Sequence, residues 1–468
     1  MIVLKNKSLM RLLQGMLCCF VAVGCARFDS EALRSDHAIS FGAEIEARTA
    51  AALGDSSTLD LEQCIAIALD NNLDVQSADV QARIARLNRL VAFSNFLPAI
   101  DLNYTFTEMN KTPSSSMLGP FSVAVQDRIV KDTAVQAQMP VFAPATWFLY
   151  DAHRHGEAIG ALVSDYTRQM IALHVTALYF QCLALEEGGK ALASQLESAE
   201  ALRGEVESFY KEGLVLESEL LQIRTLVQAR ESDCFKNKNA LADARSGLLE
   251  VMGLSPLASL ELKADMPVSL PEGELEDWLQ YMLLHHPRLS IADRMVAVEE
   301  DKLKIAITEF LPILAVFSAR THTTNSKNTY PYMTATGFTG MMTLFNGFAN
   351  INEYKAARLE RKGAYLAREQ ESLSLMAQLF QSRLQVDNAA ADAALASVAL
   401  EATESGLREA EARFREGLIN TSEFLEARSR RDGAASQVVA AEYMKQVAAA
   451  VARNIMGATF RGEEVSPQ

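Results

Sequence analysis

The stretch FLPAIDLNYTF, residues 96–106, decides how this chain is built. Proline disfavours helical geometry in the residue before it, so Phe96-Leu97-Pro98 closes the helix-forming run upstream. Beyond it Ile100, Leu102, Tyr104 and Phe106 alternate with Asp101, Asn103, Thr105 and Thr107. Side chains along a strand point to opposite faces in turn, so this is a strand with one apolar and one polar face. Its length, roughly ten residues, suits a strand tilted through an outer membrane with lipid on one side and water on the other.

The pattern returns three times. Val135, Ala137, Met139 and Val141 alternate with Gln136 and Gln138; Ile313, Ala315, Phe317 and Ala319 oppose Ser318, Arg320 and His322; Phe338, Gly340, Met342 and Leu344 oppose Thr339, Met341 and Thr343. Leu314 and Val316 blur the polar face of the third strand. The expected strands are about 98–108, 133–142, 312–322 and 334–345, with the apolar face of each turned to lipid. A sandwich strand carries the same alternation. Here, however, four strands come as two hairpins divided by the helical stretch between residues 143 and 311, too few to close a barrel. Open sheet edges do not occur in lipid, so other copies of the chain must complete the wall. The loops at about 109–132 and 323–333, rich in Ser, Thr, Asn, Lys and Pro, suit the cell exterior.

Each hairpin leads into a long helix. Between Pro144 and Pro256 the sequence has no proline, and from about Thr146 to Lys211 helix formers dominate. Tyr166, Leu173 and Phe180 step by seven, and Met170, Ala177, Ala184 and Ala191 form a second seam. From about Phe348 to Arg415 the same object has Leu366, Leu373 and Phe380 in one seam and Ala377, Leu384 and Ala391 in the other. At 1.5 Å per residue each rod is about 100 Å long. Glu212-Gly213-Leu214 and Glu416-Gly417-Leu418 end the rods, glycine supplying the left-handed turn. Ser218 and Thr421 or Ser422 are the expected N-caps of the returning helices, with Glu behind them.

The chain reads as a tandem repeat. LEQCIAIALDNNLDVQSADVQA (61–82) answers to LEDWLQYMLLHHPRLSIADRMVA (275–297), and FLPAIDLNYTF (96–106) to FLPILAVFSAR (310–320). MPVFAPATWFLYDAHR (139–154) answers to MTLFNGFANINEYKAAR (342–358), and FYKEGLVLESELLQIR (209–224) to RFREGLINTSEFLEAR (413–428). Asn71-Asn72 and His285-His286 each end a short helix. Because asparagines occupy the matching place, the histidine pair reads as helix capping rather than metal ligation.

At the N-terminus, Lys5, Lys7 and Arg11 precede the apolar run Leu12 to Val23, an export signal. It ends AVGC, with Gly24 before Cys25, similar to the lipobox whose cysteine is acylated; Ala22 departs from the leucine usual three places earlier. A plain signal peptide cut nearby is the alternative. The expected division is 1–24 signal peptide, 25–57 lipid-anchored leader, extended or partly helical, 58–254 first repeat, 255–273 linker, 274–458 second repeat and 459–468 tail. Of six cysteines, Cys64, Cys182 and Cys234 remain in the body, scattered and without metal-type spacing. The net charge of −15 argues against nucleic acid or an anionic membrane surface as partner. No phosphate-cradling loop or nucleophile motif is present, which argues against an enzyme, and no cofactor or metal is expected.

In their duplicated order the FLP-strand junctions, the paired hairpins and the F/Y-x-x-E-G-L reversals resemble the TolC-like outer-membrane efflux proteins, over about residues 57–460. The resemblance implies a mainly helical membrane protein: a tandem-repeat protomer of long antiparallel coiled helices whose four strands join a trimeric 12-stranded β-barrel. It implies a homotrimer in outer-membrane lipid, met by a periplasmic adaptor protein and an inner-membrane transporter. It places adaptor contacts at Gly213, Leu214, Glu217, Gly417, Leu418 and Glu423. Acidic residues narrow the pore near the second reversal in that family. Glu411 matches such a position, beside Glu409, and Glu205 and Glu207 precede the first reversal. Arg408 stands where another acid is expected, which raises an Arg–Glu latch between neighbouring copies; a solvated helix face is the plain alternative. The function implied is a passive exit duct for efflux or type I secretion. A soluble or lipid-anchored coiled-coil adaptor is the alternative; it should show one hairpin flanked by small β-domains.

Overall fold

The computed structural model describes residues 29–54, 58–115, 123–264 and 273–457. Helix α1 (Ser30–Leu53) starts where Asp29 accepts the backbone N–H groups of Glu31 and Ala32. A two-residue strand β1 (Thr58–Leu59) precedes α2 (Leu61–Asn71), which begins in a capping box between Asp60 and Gln63. Asn72 ends α2 and caps α3 (Leu73–Ser94), its side chain accepting from Asp74 and Val75. Strand β2 (Ala99–Glu108), a short ribbon of β3 (Ser114–Ser115) and β4 (Val123–Ala124), and β5 (Ile129–Phe142) follow. Proline at the first position starts α4 (Pro144–Lys211), 68 residues long, and α5 (Glu217–Val251) returns along it. After β6 (Glu261–Leu262), which pairs in parallel with β1, come α6 (Leu275–His285), α7 (Pro287–Thr308), β7 (Ile313–Thr323), β8 (Tyr332–Met341), α8 (Ala349–Arg415) of 67 residues, and α9 (Thr421–Met456).

Four strands form one antiparallel sheet in the order β2-β5-β7-β8, so the two hairpins join side by side and leave β2 and β8 as edges. All four connections from this sheet to helices leave from the same end: α3 and α7 lead in, α4 and α8 lead out. Helix α4 lies at the centre of the helical bundle, against α3, α5, α7 and α9; α8 packs on α7 and α9.

Two apolar cores sit at the level of the short helices. One gathers Cys64, Val75, Tyr179, Phe180, Leu248 and Met252 where α2, α4 and α5 meet beneath the β1–β6 ribbon. The other gathers Trp278, Met282, Leu289, Leu375, Leu379 and Met456 where α6, α7, α8 and α9 meet. A glycine closes each. Gly253 (φ 69°) follows α5 so closely against Asn71 that a Cβ there would stand 2.4 Å from its carbonyl oxygen. Gly457 (φ 79°) follows α9, where a Cβ would be 3.0 Å from the His286 Cα. Nothing but glycine suits that backbone and that space.

Several expectations need narrowing or correction. Of the two forms expected for the leader, extended or partly helical, the described part takes the helical one, α1. The second strand begins at Ile129, because β2 continues to Glu108 and Glu108 pairs with Ile129. The fourth strand ends at Met341, not near 345: its last partner is Ile313, and Pro312 beyond it has no N–H to offer. The returning helices are capped elsewhere than expected. Leu216 precedes α5 with no side-chain cap, and Asn420 caps α9 in a box with Glu423. The seams of the first rod turn largely inward, with Phe180 and Ala191 buried. Those of the second do not. Leu366, Leu373, Phe380 and Leu384 face away from the protomer, and its buried face is Leu375, Leu379, Ser382 and Val386.

Candidate functional site

Directly opposed residues of an antiparallel pair share a face, so the register sorts the sheet into two sides. One row runs Leu102, Val135, Arg320, Thr334; the next toward the helices runs Ile100, Ala137, Ser318, Thr336; below it Met139 meets Val316 and Val316 meets Phe338. The other side carries Asp101, Gln136, Ala319 and Ala335, with Asn103, Thr105, Gln138 and Phe317. The first side is openly apolar, Ile100 and Leu102 each being 71% exposed. Strands β2, β5 and β8 thus face as their alternation predicts. Strand β7 is turned over. Ser318, Arg320 and His322 share the side of Ile100 and Leu102, while Phe317 and Ala319 lie with the glutamines. Phe317 covers Gly337, whose missing side chain gives the ring its room: a Cβ there would meet it at 3.1 Å. Pairing with β5 over ten residues outweighs the weak amphipathicity of one strand.

At the far end of the rods both reversals have one geometry. Gly213 (φ 74°) donates to the Tyr210 carbonyl at 3.0 Å and Leu214 to Phe209 at 2.9 Å; Gly417 (φ 73°) donates to Phe414 at 3.0 Å and Leu418 to Arg413 at 2.9 Å. This pair of bonds is the Schellman motif, which satisfies the last helical carbonyls. Leu214 and Leu418 project from the tips, each 68% exposed. Phe414 and Phe424 stack at 5.0 Å across the neck of the second hairpin. Glu217 opens α5, whereas the Glu423 carboxylate is engaged with the Asn420 N–H at 3.4 Å. On α8, Glu409 pairs with Arg413 at 2.5 Å. Arg408 is exposed and Glu411 half-buried, and among the described residues of one protomer they form no ion pair with each other. On α4, Glu207 lies 3.3 Å from Arg224 of α5. Cys25 lies outside the described residues.

Polar clasps hold the helices in line. Ser164 donates to Asp79 at 2.5 Å and Arg168 reaches the same carboxylate at 2.6 Å. The Ser164 bond first, and Arg168 with it, hold that carboxyl below the usual range. His285 stacks on Tyr281 at 4.2 Å, and the buried His286 accepts the Arg288 N–H through Nδ1 at 3.1 Å. The two rings are thus committed to different neighbours. Cys64 and Cys182 are buried, and burial pushes their thiols up to about 12 and about 11. Where the sheet meets the helices a cavity of about 310 Å3 is lined by Phe142, Trp147, Phe148, Ile307 and Leu311 with Lys304 and Thr308.

The closing glycines Gly253 and Gly457 are not among the residues singled out from the sequence. Their signal was there: Met252-Gly253 and Met456-Gly457 follow the two returning helices at matching places.

Residues 278–458 match the family model described as outer membrane efflux protein. The chain carries an outer membrane efflux protein domain. That domain holds α7 to α9 with β7 and β8, and most of α6. No curated protein sequence matches the chain. Its fold is that of solved outer-membrane channels. CusC aligns with 17% identity and a TM-score of 0.70, over 86% of this chain and 94% of that one. The CmeC outer membrane channel of Campylobacter jejuni aligns at 15% and 0.72, over 85% of each. The outer membrane protein VceC of Vibrio cholerae aligns at 15% and 0.70, over 86% of this chain and 97% of that one. The alignments span both halves, so the likeness in fold extends well beyond the matched residues.

Proposed function

We propose that this protein is the outer-membrane exit duct of a tripartite efflux or type I secretion system, conducting substrates passively from a periplasmic adaptor and inner-membrane pump to the exterior. One observation carries the reading: the open edges of the sheet and the unpartnered apolar faces of two helices fit each other. If β8 of one copy pairs with β2 of the next, α8 of the first must run beside α3 of the second. These are the helices with exposed apolar stripes. Leu359, Leu366, Leu373 and Phe380 step by seven along α8 and are 53–69% exposed; Val80, Ile84, Leu87 and Val91 run along α3. The depths agree as well. At 1.5 Å per residue Leu87 and Val80 lie about 10 and 20 Å below the sheet, Leu359 and Leu366 about 15 and 25 Å.

Three copies closing in this way make a twelve-stranded wall with Ile100, Leu102 and Phe338 toward lipid and Asp101, Asn103 and Gln136 toward water. The rods continue that wall as a periplasmic tunnel. Its tips, with exposed Leu214 and Leu418 around Gly213 and Gly417, are the adaptor's docking ends, flanked by Glu217 and Glu423. Arg408 and Glu411 stand near the second tip, where a neighbouring copy supplies the partner each lacks, and form the constriction. The duplicated blocks make the two halves of each protomer one ancestral unit used twice.

The test is single-channel conductance of the purified protein in planar bilayers, preceded by a carbonate wash of membranes. Steps of uniform conductance from a carbonate-resistant protein are expected. A protein released by carbonate that conducts nothing would return the reading to a periplasmic adaptor. Lipid anchoring through Cys25 is tested separately: Cys25→Ser should abolish incorporation of labelled acyl chains, and unchanged labelling would exclude Cys25 as the anchor.

A further inference from the structure

We propose that the lipid-facing side of the sheet carries, at its outer end, a binding site for the phosphates of an outer-leaflet glycolipid, built from Arg320 and Lys131. The inference rests on the barrel reading above. The register sets both residues on that side: Arg320 lies in the row of Leu102 and Val135, and Lys131 lies opposite Phe106. Both are exposed. They stand near the sheet end away from the helices, which the barrel reading turns to the exterior. Between them lies an aromatic row, Tyr104, His322 and Tyr332, in which the last two rings stack at 4.4 Å. Aromatic side chains gather at headgroup level in membrane proteins.

A guanidinium on a lipid-facing strand is destabilising in proportion to its depth, so it must reach an anion. The described residues offer none. Among the described residues neither Arg320 nor Lys131 has an ion-pair partner. Asp132, the nearest acid along β5, pairs with Thr105 and so faces the other side. Glu108 shares their side but is held by Arg128 at 3.0 Å. A sister copy cannot supply the anion through its strands either, because β5 and β7 are the two inner strands of the four. The remaining source is lipid. A long Arg side chain can lie along the His322–Tyr332 stack with its head directed outward, and guanidinium matches phosphate oxygens in a two-bond geometry. In a chain of net charge −15 two unpaired cations on the apolar side are not a general surface tendency.

The experiment uses the full-length protein in phosphatidylcholine vesicles doped with bisphosphorylated lipid A, the same glycolipid without its phosphates, or phosphatidylglycerol. Glycolipid co-purifying with the protein and single-channel conductance are read in parallel. Wild type should retain the phosphorylated glycolipid about tenfold better than the dephosphorylated form, the range of one or two charge-assisted bonds. The double variant Arg320→Gln, Lys131→Gln should lose that preference yet still conduct, and Arg320→Lys should keep part of it. Equal retention of both glycolipids by a conducting wild type overturns the site alone. So does an equal effect of phosphatidylglycerol, or an unchanged preference in the double variant. A wild type that neither inserts nor conducts overturns the site and the barrel together.

Discussion

His286 occupies the place that Asn72 holds in the first half, the junction between two short helices, and both side chains accept the N–H two residues on. Only one of them can be protonated. Burial first, then the charge of Arg288, push the His286 imidazole down to about 4. Its folded-state pKa thus lies below its unfolded value of about 6.5, and the unfolded chain takes up the proton first. Stability is intact above about pH 6.5 and falls as pH drops toward 4, by about 2 kcal/mol between pH 7.5 and pH 5. His286→Asn should keep the cap and remove that slope, which thermal melts of both proteins at the two pH values would measure; an equal slope in the variant would locate it elsewhere. Tyr179 makes a second test at this scale. Fully buried on α4, its hydroxyl donates to the Lys263 carbonyl at the end of the β1–β6 ribbon. Tyr179→Phe should cost about 0.5–1.5 kcal/mol in chemical denaturation, the net contribution of one intramolecular hydrogen bond. Sequence alone places His286 correctly as a cap, since asparagine stands at the matching place. It misses Gly253 and Gly457: the repeated Met-Gly marks two helix ends, but the close approach of Asn71 and His286 that requires glycine there comes from distant parts of the chain.

The helix reversals are the elements most legible in the sequence, because their cause is local: glycine at a left-handed position after a long run of helix formers. Gly417→Pro should therefore act locally too. Proline holds φ near −65°, against 73° here, and removes the N–H that reaches the Phe414 carbonyl. The Schellman bonds at that tip should be lost, with adaptor binding in a pull-down falling by about tenfold or more, while conductance in planar bilayers stays that of wild type. Wild-type adaptor binding would count against the tip as the docking end. The caps beside these reversals were less legible. Asn420 and Glu423 spell a capping box, N-x-x-E, but Thr421 and Ser422 lie between them as competing cap residues. Strand β7 was misread for a different reason. Its own alternation is weak, with Leu314 and Val316 among its polar positions, and its orientation is fixed by ten residues of pairing with β5, a partner far away in sequence.

At the level of the whole molecule the proposed assembly leaves one protomer incomplete, and its seams say where. The heptad step of Leu366, Leu373 and Phe380 is legible in the sequence as a packing seam, but its partner is not, because in the proposed assembly that partner belongs to a neighbouring copy. Burial separates the two seams of α8: Leu375 and Leu379 are used within the protomer, and the stripe three to four turns long beside them is not. Substitutions on the two seams should therefore fail differently. Leu375→Ala removes a side chain from the core beside Met282 and Trp278 and should cost about 2–5 kcal/mol of protomer stability. Leu366→Glu with Leu373→Glu leaves that core untouched. Each leucine forfeits roughly 1.5–3 kcal/mol of burial at every interface and each glutamate adds the cost of desolvating a charge. Light scattering in detergent should find the double variant as single chains with unchanged helical circular dichroism, and bilayers should record no conductance from it. Trimers of wild-type stability in that variant would mean that copies meet along another face, and the match between sheet edges and helix stripes would lose its meaning.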